Sequence, residues 1–215
     1  MQSYLSSHGY LDEAYHYIAN EPQDQAGYDA VAWYSQLSHA AAPNLKLMVS
    51  EEPRPEIYDQ PGAHIDVWLP VLQNYNPAVS YDRSLDHGEE TWIYFLHSTR
   101  LPYFNPITLD HPGIESKFTG WFLWKYRLRG IAYYSLNDWS KNPWTDPLTS
   151  GHNGDTFIIL RGGNHPASAG GGSCAPLLKW VYATRNQPQP PQRLCNQLPS
   201  GVDTTLWQKG SGWPC

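Results

Sequence analysis

Residues 15–22 read YHYIANEP, a short apolar run that ends on an amide, a carboxylic acid and a proline. The run suits a strand, and Pro22 stops it. Runs of the same kind recur at 45–49 (LKLMV), 65–69 (IDVWL), 91–96 (TWIYFL) and 131–136 (IAYYSL). Each is short and largely apolar, and the intervals leave room for a crossover, which is the pattern of parallel strands buried under helices. The fold class is therefore α/β, with strands expected to be covered rather than half exposed.

Two intervals are helical by spacing. Residues 28–42 place Ala30, Val31, Trp33, Tyr34 and Leu37 on one apolar face, and residues 114–128 carry Phe118, Trp121, Phe122 and Leu123 at helical intervals. The Pro-, Asp- and Asn-rich stretches 53–62 and 73–88 read as loops or short helices. Five βα units are too few to close an eight-stranded barrel, and the chain reaches a strand almost at once. The expectation is a partial (β/α)8 barrel of the TIM type, roughly strands four to eight, over residues 1–161. Residues 162–215 contain GGNHPASAGGG and NQPQPPQ and read as a Gly/Pro/Gln-rich tail without regular order.

Composition narrows the partners. The chain has 10 Trp and 15 Tyr against 16% charged residues. Such rings serve either as core or as stacking platforms for sugars. A net charge of −6 without a Lys/Arg run gives no footprint for nucleic acid or an anionic membrane surface. No stretch approaches the ~20 apolar residues of a membrane span, and the first residues lack the basic start and apolar core of a signal peptide. Cys174, Cys195 and Cys215 show no CxxC spacing, so they support neither a disulfide framework nor a zinc site. HExxH, GxSxG, GxGxxG and GxxxxGK[ST] are all missing, so no metal or cofactor is implied. Composition assigns no compartment.

The chemistry is expected at the strand ends. Glu21 closes the first strand, where barrel folds put their reactive groups, and an aromatic-lined mouth can keep such a carboxyl protonated for use as a general acid. The alternative is a carboxylate that caps the next helix. Asn137-Asp138-Trp139 closes the strand at 131–136, and polar groups beside an indole suit a sugar pocket. Asn142 to Pro147 follows as part of the same candidate set, its Asp146-Pro147 end reading instead as a turn. Tyr94, His97 and Tyr103 lie on or after TWIYFL as hydrogen-bonding groups. Glu51-Glu52 reads as a solvated loop edge. Glu89 and Glu90 precede their strand and belong to the opposite end of the barrel.

Over residues 9–160 the pattern resembles the catalytic barrel of glycoside hydrolase family 123. The resemblance rests on YHYIANEP, on the block at 91–139 from TWIYFL to SLNDW, and on NPWTDP followed by NGDTFIIL. It implies retaining, substrate-assisted hydrolysis of N-acetylgalactosaminides, in which the 2-acetamido oxygen attacks the anomeric carbon. Glu21 would then protonate the leaving oxygen. The family's fourth strand ends in Asp-Glu, whereas this chain has Asn20 before the Glu, which can orient the 2-substituent but brings no charge. Tyr94, Tyr134, Asp138 and Trp139 would line the pocket for a carbohydrate substrate. The tail departs from the family pattern, which a shifted reading frame or truncated gene would explain. The rival expectation is a non-catalytic carbohydrate-binding remnant that self-associates through open barrel edges.

Overall fold

A computed structural model describes residues 1–135, 148–149 and 152–155. Helix α1 (Gln2–Ser7) and a 3-10 turn precede strand β1 (Tyr15–Asn20), so a short helix leads into the first strand. There follow α2 (Gln25–Ala41), β2 (Lys46–Ser50), α3 (Pro55–Tyr58), β3 (Val67–Trp68), α4 (Pro77–His87), β4 (Glu90–Tyr94), α5 (Ile114–Tyr126) and β5 (Gly130–Ala132). Strands β6 (Leu148–Thr149) and β7 (His152–Asn153) form a separate antiparallel pair. The sheet is wholly parallel and runs β1-β2-β3-β4-β5, so chain order equals spatial order. A parallel sheet without a reversal of strand order is the arrangement of a barrel segment.

Alternation along the strands separates two faces. Val49, Trp68 and Ile93 point to the helices. Val49 and Trp68 pack with Tyr28, Val31 and Ile57 of α2 and α3, and Ile93 and Phe95 pack with Leu123 and Leu128 at α5. Full burial of aliphatic side chains such as Val49, Ile57 and Ile93, all 0% exposed, stabilises by about 2 kcal/mol each. Met48, Val67 and Leu69 face the other way and meet Tyr15, Trp92, Tyr94 and Ala132, forming the inner layer. Gly130 is required there, because a Cβ would lie 2.6 Å from Trp92 Cδ2.

The helices use a different face from the one expected. In α2 the buried residues are Tyr28, Val31, Ala32 and Ser35, while Trp33, Tyr34 and Leu37 are exposed. In α5 they are Thr119, Gly120 and Leu123, while Phe118 and Trp121 are exposed. In α2 the small Ala32 and Ser35 face the core beside Tyr28 and Val31, and in α5 Thr119 and Gly120 do so beside Leu123, with Phe122 packed on the same cluster. Strand β1 also departs from the expectation of full cover, with no fully buried residue, because it pairs on one side only. The stretch at 73–88 contains the eleven-residue α4. Asn76 Oδ1 accepts from the Ala78 and Val79 amides, Pro77 occupies the first turn, and Gly88 at φ 70° ends the helix.

Candidate active site

The C-terminal ends of β1, β2 and β4 converge on one group. Between Tyr17 and Ala19 the register of β1 against β2 slips by one residue, which leaves Ile18 extra and realigns Asn20 opposite Ser50. Tyr17 Oη and Ser50 Oγ both reach Asn20 Oδ1, at 2.7 and 3.2 Å, and the two hydroxyls also touch each other. The acceptor side of Asn20 is thus directed into β2. Its amide NH2 remains to donate.

Glu21 continues the ladder through its N–H to Ser50 O at 3.2 Å, then takes φ 46°, a left-handed backbone that costs a residue with a Cβ about 1–3 kcal/mol. The helix-capping alternative does not hold. Asp24 caps α2 by accepting from the Gly27 amide at 2.8 Å, and the Glu21 side chain turns inward. Tyr94 Oη donates to Glu21 Oε1 at 2.5 Å. These side chains stand on strands separated by two others, about 14 Å apart in a flat sheet, so they meet only because the sheet curls. Burial, then the bond to Glu21, raises the Tyr94 phenol far above its ordinary value. The Tyr17 phenol is also raised, by burial first and by the Glu21 charge, against the Ser50 bond.

Beside Glu21, at the end of β2, lies a pair that the sequence reading placed at a solvated loop edge. Glu51 is 6% exposed. Arg54 Nε donates to Glu51 Oε1 at 2.9 Å and Arg54 Nη2 to Glu52 Oε1 at 2.5 Å, and Asn74 donates to Glu52 Oε2. Burial and the adjacent Glu52 push the Glu51 carboxyl up to about 7, against the pull of Arg54. Glu52 is held low despite burial, by its hydrogen bonds from Glu51, its own amide and Asn74 and by the Arg54 charge. Of the two, Glu51 is therefore the carboxyl that holds a proton to higher pH. Composition and spacing did not single out Arg54, Tyr17 or Ser50. The Pro53-Arg54 step after a double Glu was the available signal.

The other expected residues are distributed as follows. Tyr134 is described and 77% exposed. Asp138, Trp139 and the Asn142–Pro147 stretch lie outside the described residues. His97 approaches Asp155 at 3.6 Å, while Tyr133 Oη donates to Asp155 Oδ1 at 2.9 Å. Tyr103 lines a groove of about 390 Å³ with Phe104, Phe118, Trp121 and Tyr126, none of which touches Glu21. Glu90 sits at the N-terminal end of β4 and accepts from Lys46 Nζ at 2.6 Å and Trp92 Nε1 at 3.2 Å. Glu89 is buried under Trp68 and Arg83. No described helix is long and apolar enough to cross a membrane.

No curated protein matches the chain. A solved structure from Clostridium perfringens, titled as a family 123 glycoside hydrolase in a study of glycolipid glycan hydrolysis, is similar with a TM-score of 0.53 and 16% identity. The likeness covers 86% of this chain, which spans 32% of that one. It shows a shared fold, consistent with the curled parallel sheet being a partial barrel. The family model described as "Glycoside hydrolase 123, catalytic domain" matches residues 1–169, and the chain belongs to that family.

Proposed function

We propose that this chain carries the acid side of a glycoside-hydrolysing site, with Glu21 as general acid toward the leaving oxygen of a 2-acetamido glycoside. The observation that carries the reading is the hold on Glu21. A strained backbone turns the carboxyl inward, and Tyr94 fixes one oxygen from across the curled sheet, which among the described residues leaves the other oxygen to carry and deliver the proton. Glu51, protonated below about pH 7, adds no second full negative charge beside it. Asn20, held by Tyr17 and Ser50 through its Oδ1, is proposed to orient the 2-substituent. Tyr134, Asp138 and Trp139 are proposed to line the sugar pocket. Numbering β1 to β5 as strands four to eight of a closed barrel belongs to the same proposal.

In the substrate-assisted route the acetamide oxygen attacks the anomeric carbon, the C–O bond to the aglycone breaks, and the Glu21 proton passes to the departing oxygen. A general acid matters most when the leaving group is poor. Glu21→Gln should therefore slow alkyl N-acetylgalactosaminides far more than p-nitrophenyl ones. Equal slowing across a leaving-group series would rule out the acid role. One observation favours a second reading, a carbohydrate-binding domain without turnover. Asn20 stands where the family pattern has Asp, so it offers no charge to a developing oxazolinium. Calorimetric binding of N-acetylgalactosamine by a chain that turns over neither substrate would select that reading.

A further inference from the structure

We propose that His39, His64 and Asp66 form a binding site for a divalent transition ion of the zinc type at the N-terminal end of β3. The three side chains come from two elements. His39 lies in the last turn of α2, while His64 and Asp66 are two residues apart in the extended lead-in to β3 and so share one side of it. The extension is fixed by the Asp66 N–H to Leu47 O at 3.1 Å and the Glu90 N–H to Asp66 O at 2.8 Å.

The three side chains meet in a small volume, where His39 Nε2 also lies 3.2 Å from the His64 carbonyl oxygen. His64 Nε2 lies 3.2 Å from Asp66 Oδ1, and His39 Nε2 lies 3.8 Å from Asp66 Oδ2. One ligand atom from each residue lies within 4.8 Å of the other two. Tetrahedral zinc with bonds of about 2.0–2.1 Å sets its ligands ~3.3 Å apart, so small side-chain rotations bring these atoms onto an ion. The imidazole rings, 5.3 Å between centroids, already converge.

The supporting groups hold the ligands in place. Asp66 Oδ2 accepts from the Leu47 amide at 2.8 Å, which fixes the carboxylate. The fully buried Ser35 hydroxyl accepts from His64 N–H at 2.9 Å and donates to His64 O at 2.8 Å, which clamps the backbone that carries the imidazole. Two imidazoles and one carboxylate suit zinc or a neighbouring transition ion better than magnesium or calcium, which take oxygen ligands. His64 is exposed, so an ion can enter and keep a water as its fourth ligand.

This site lies at the end of the sheet opposite Glu21, whose carboxyl follows the C-terminal end of β1. Its effect is structural, since the ion pins the end of α2 to the start of β3. The alternative is a metal-free His–Asp cluster held by hydrogen bonds alone. Proton and metal compete for the same nitrogen atoms.

The test is titration of the EDTA-treated chain with zinc chloride, read by calorimetry and by thermal unfolding, beside His39→Ala, His64→Ala and the double variant. One zinc per chain is expected, with a raised Tm that grows with zinc concentration. Each single variant removes a direct ligand and should weaken binding by at least the roughly 10- to 100-fold that loss of a supporting partner costs, and the double variant should lose the Tm shift while unfolding cooperatively without metal. Binding by the double variant equal to wild type, or no zinc response of the wild-type chain, would overturn the proposal. Because the readout is binding and stability, it stands or falls apart from the role of Glu21.

Discussion

Replacing Glu89 by Ala should be among the most damaging single changes in the sheet. Glu89 is 3% exposed and serves one cation and one neutral donor, accepting from Trp68 Nε1 at 2.6 Å and from the Arg83 guanidinium through both Nε at 2.8 Å and Nη2. Arg83 itself is only 15% exposed and stacks 4.1 Å from the centroid of Tyr58. Truncation leaves a guanidinium and an indole N–H without their acceptor under the core, and breaking one side of such a pair costs about 3–5 kcal/mol. At about 2–4 °C per kcal/mol for a chain of this size, Tm should fall by roughly 6–20 °C. Glu89→Gln keeps an acceptor for Trp68 and should lose less than the Ala variant. Circular dichroism and tryptophan fluorescence give the melting curves, and Trp68 should redden its emission in the Ala variant before global unfolding. An Ala variant within about 1 kcal/mol of wild type would refute the reading that this buried pair holds β3 in place.

Other outcomes follow from the same geometry. Tyr94→Phe removes the donor that steadies the carboxylate left on Glu21 as its proton departs, so turnover should fall by roughly 10- to 100-fold, and loss of the same part-buried bond should lower Tm by a few degrees at most. Glu51 has a folded pKa raised to about 7, so its contribution to stability is whole below the ordinary carboxylate value and is lost as pH rises through about 7. Tm should accordingly fall between about pH 5 and about pH 8, and Glu51→Gln should flatten that slope. Gly130→Ala drives a methyl into the Trp92 ring and should cost about 1–3 kcal/mol, checked by urea unfolding.

The five strands were legible because each combines an apolar run with a turn signal, and their parallel pairing followed from short apolar runs spaced for crossovers, although β1 is less covered than expected. The helix faces were not. In α2 the ring-bearing positions Trp33, Tyr34 and Leu37 outweigh Ala32 and Ser35 in any apolar count, yet the small residues are the ones that fit against the sheet. Helix α4 carried its own signals in Asn76-Pro77 and Gly88, hidden by the polar composition between them. Glu21 was legible as a strand-end acid, and Tyr94 as a hydrogen-bonding group. Their contact depends on the curl of the sheet, which links residues 73 positions apart and has no local pattern. Glu51 was misread for a similar reason. Two adjacent acids look solvated until Arg54 and the strand end fold over them.

The most direct test of the central claim is the leaving-group dependence of turnover by the protein and by its Glu21→Gln variant, on 2-acetamido glycosides ranging from p-nitrophenyl to alkyl aglycones. The account predicts that the variant keeps its fold and binds substrate, and loses rate steeply as the leaving group becomes poorer. A variant that matches the wild-type rate on alkyl glycosides would contradict it.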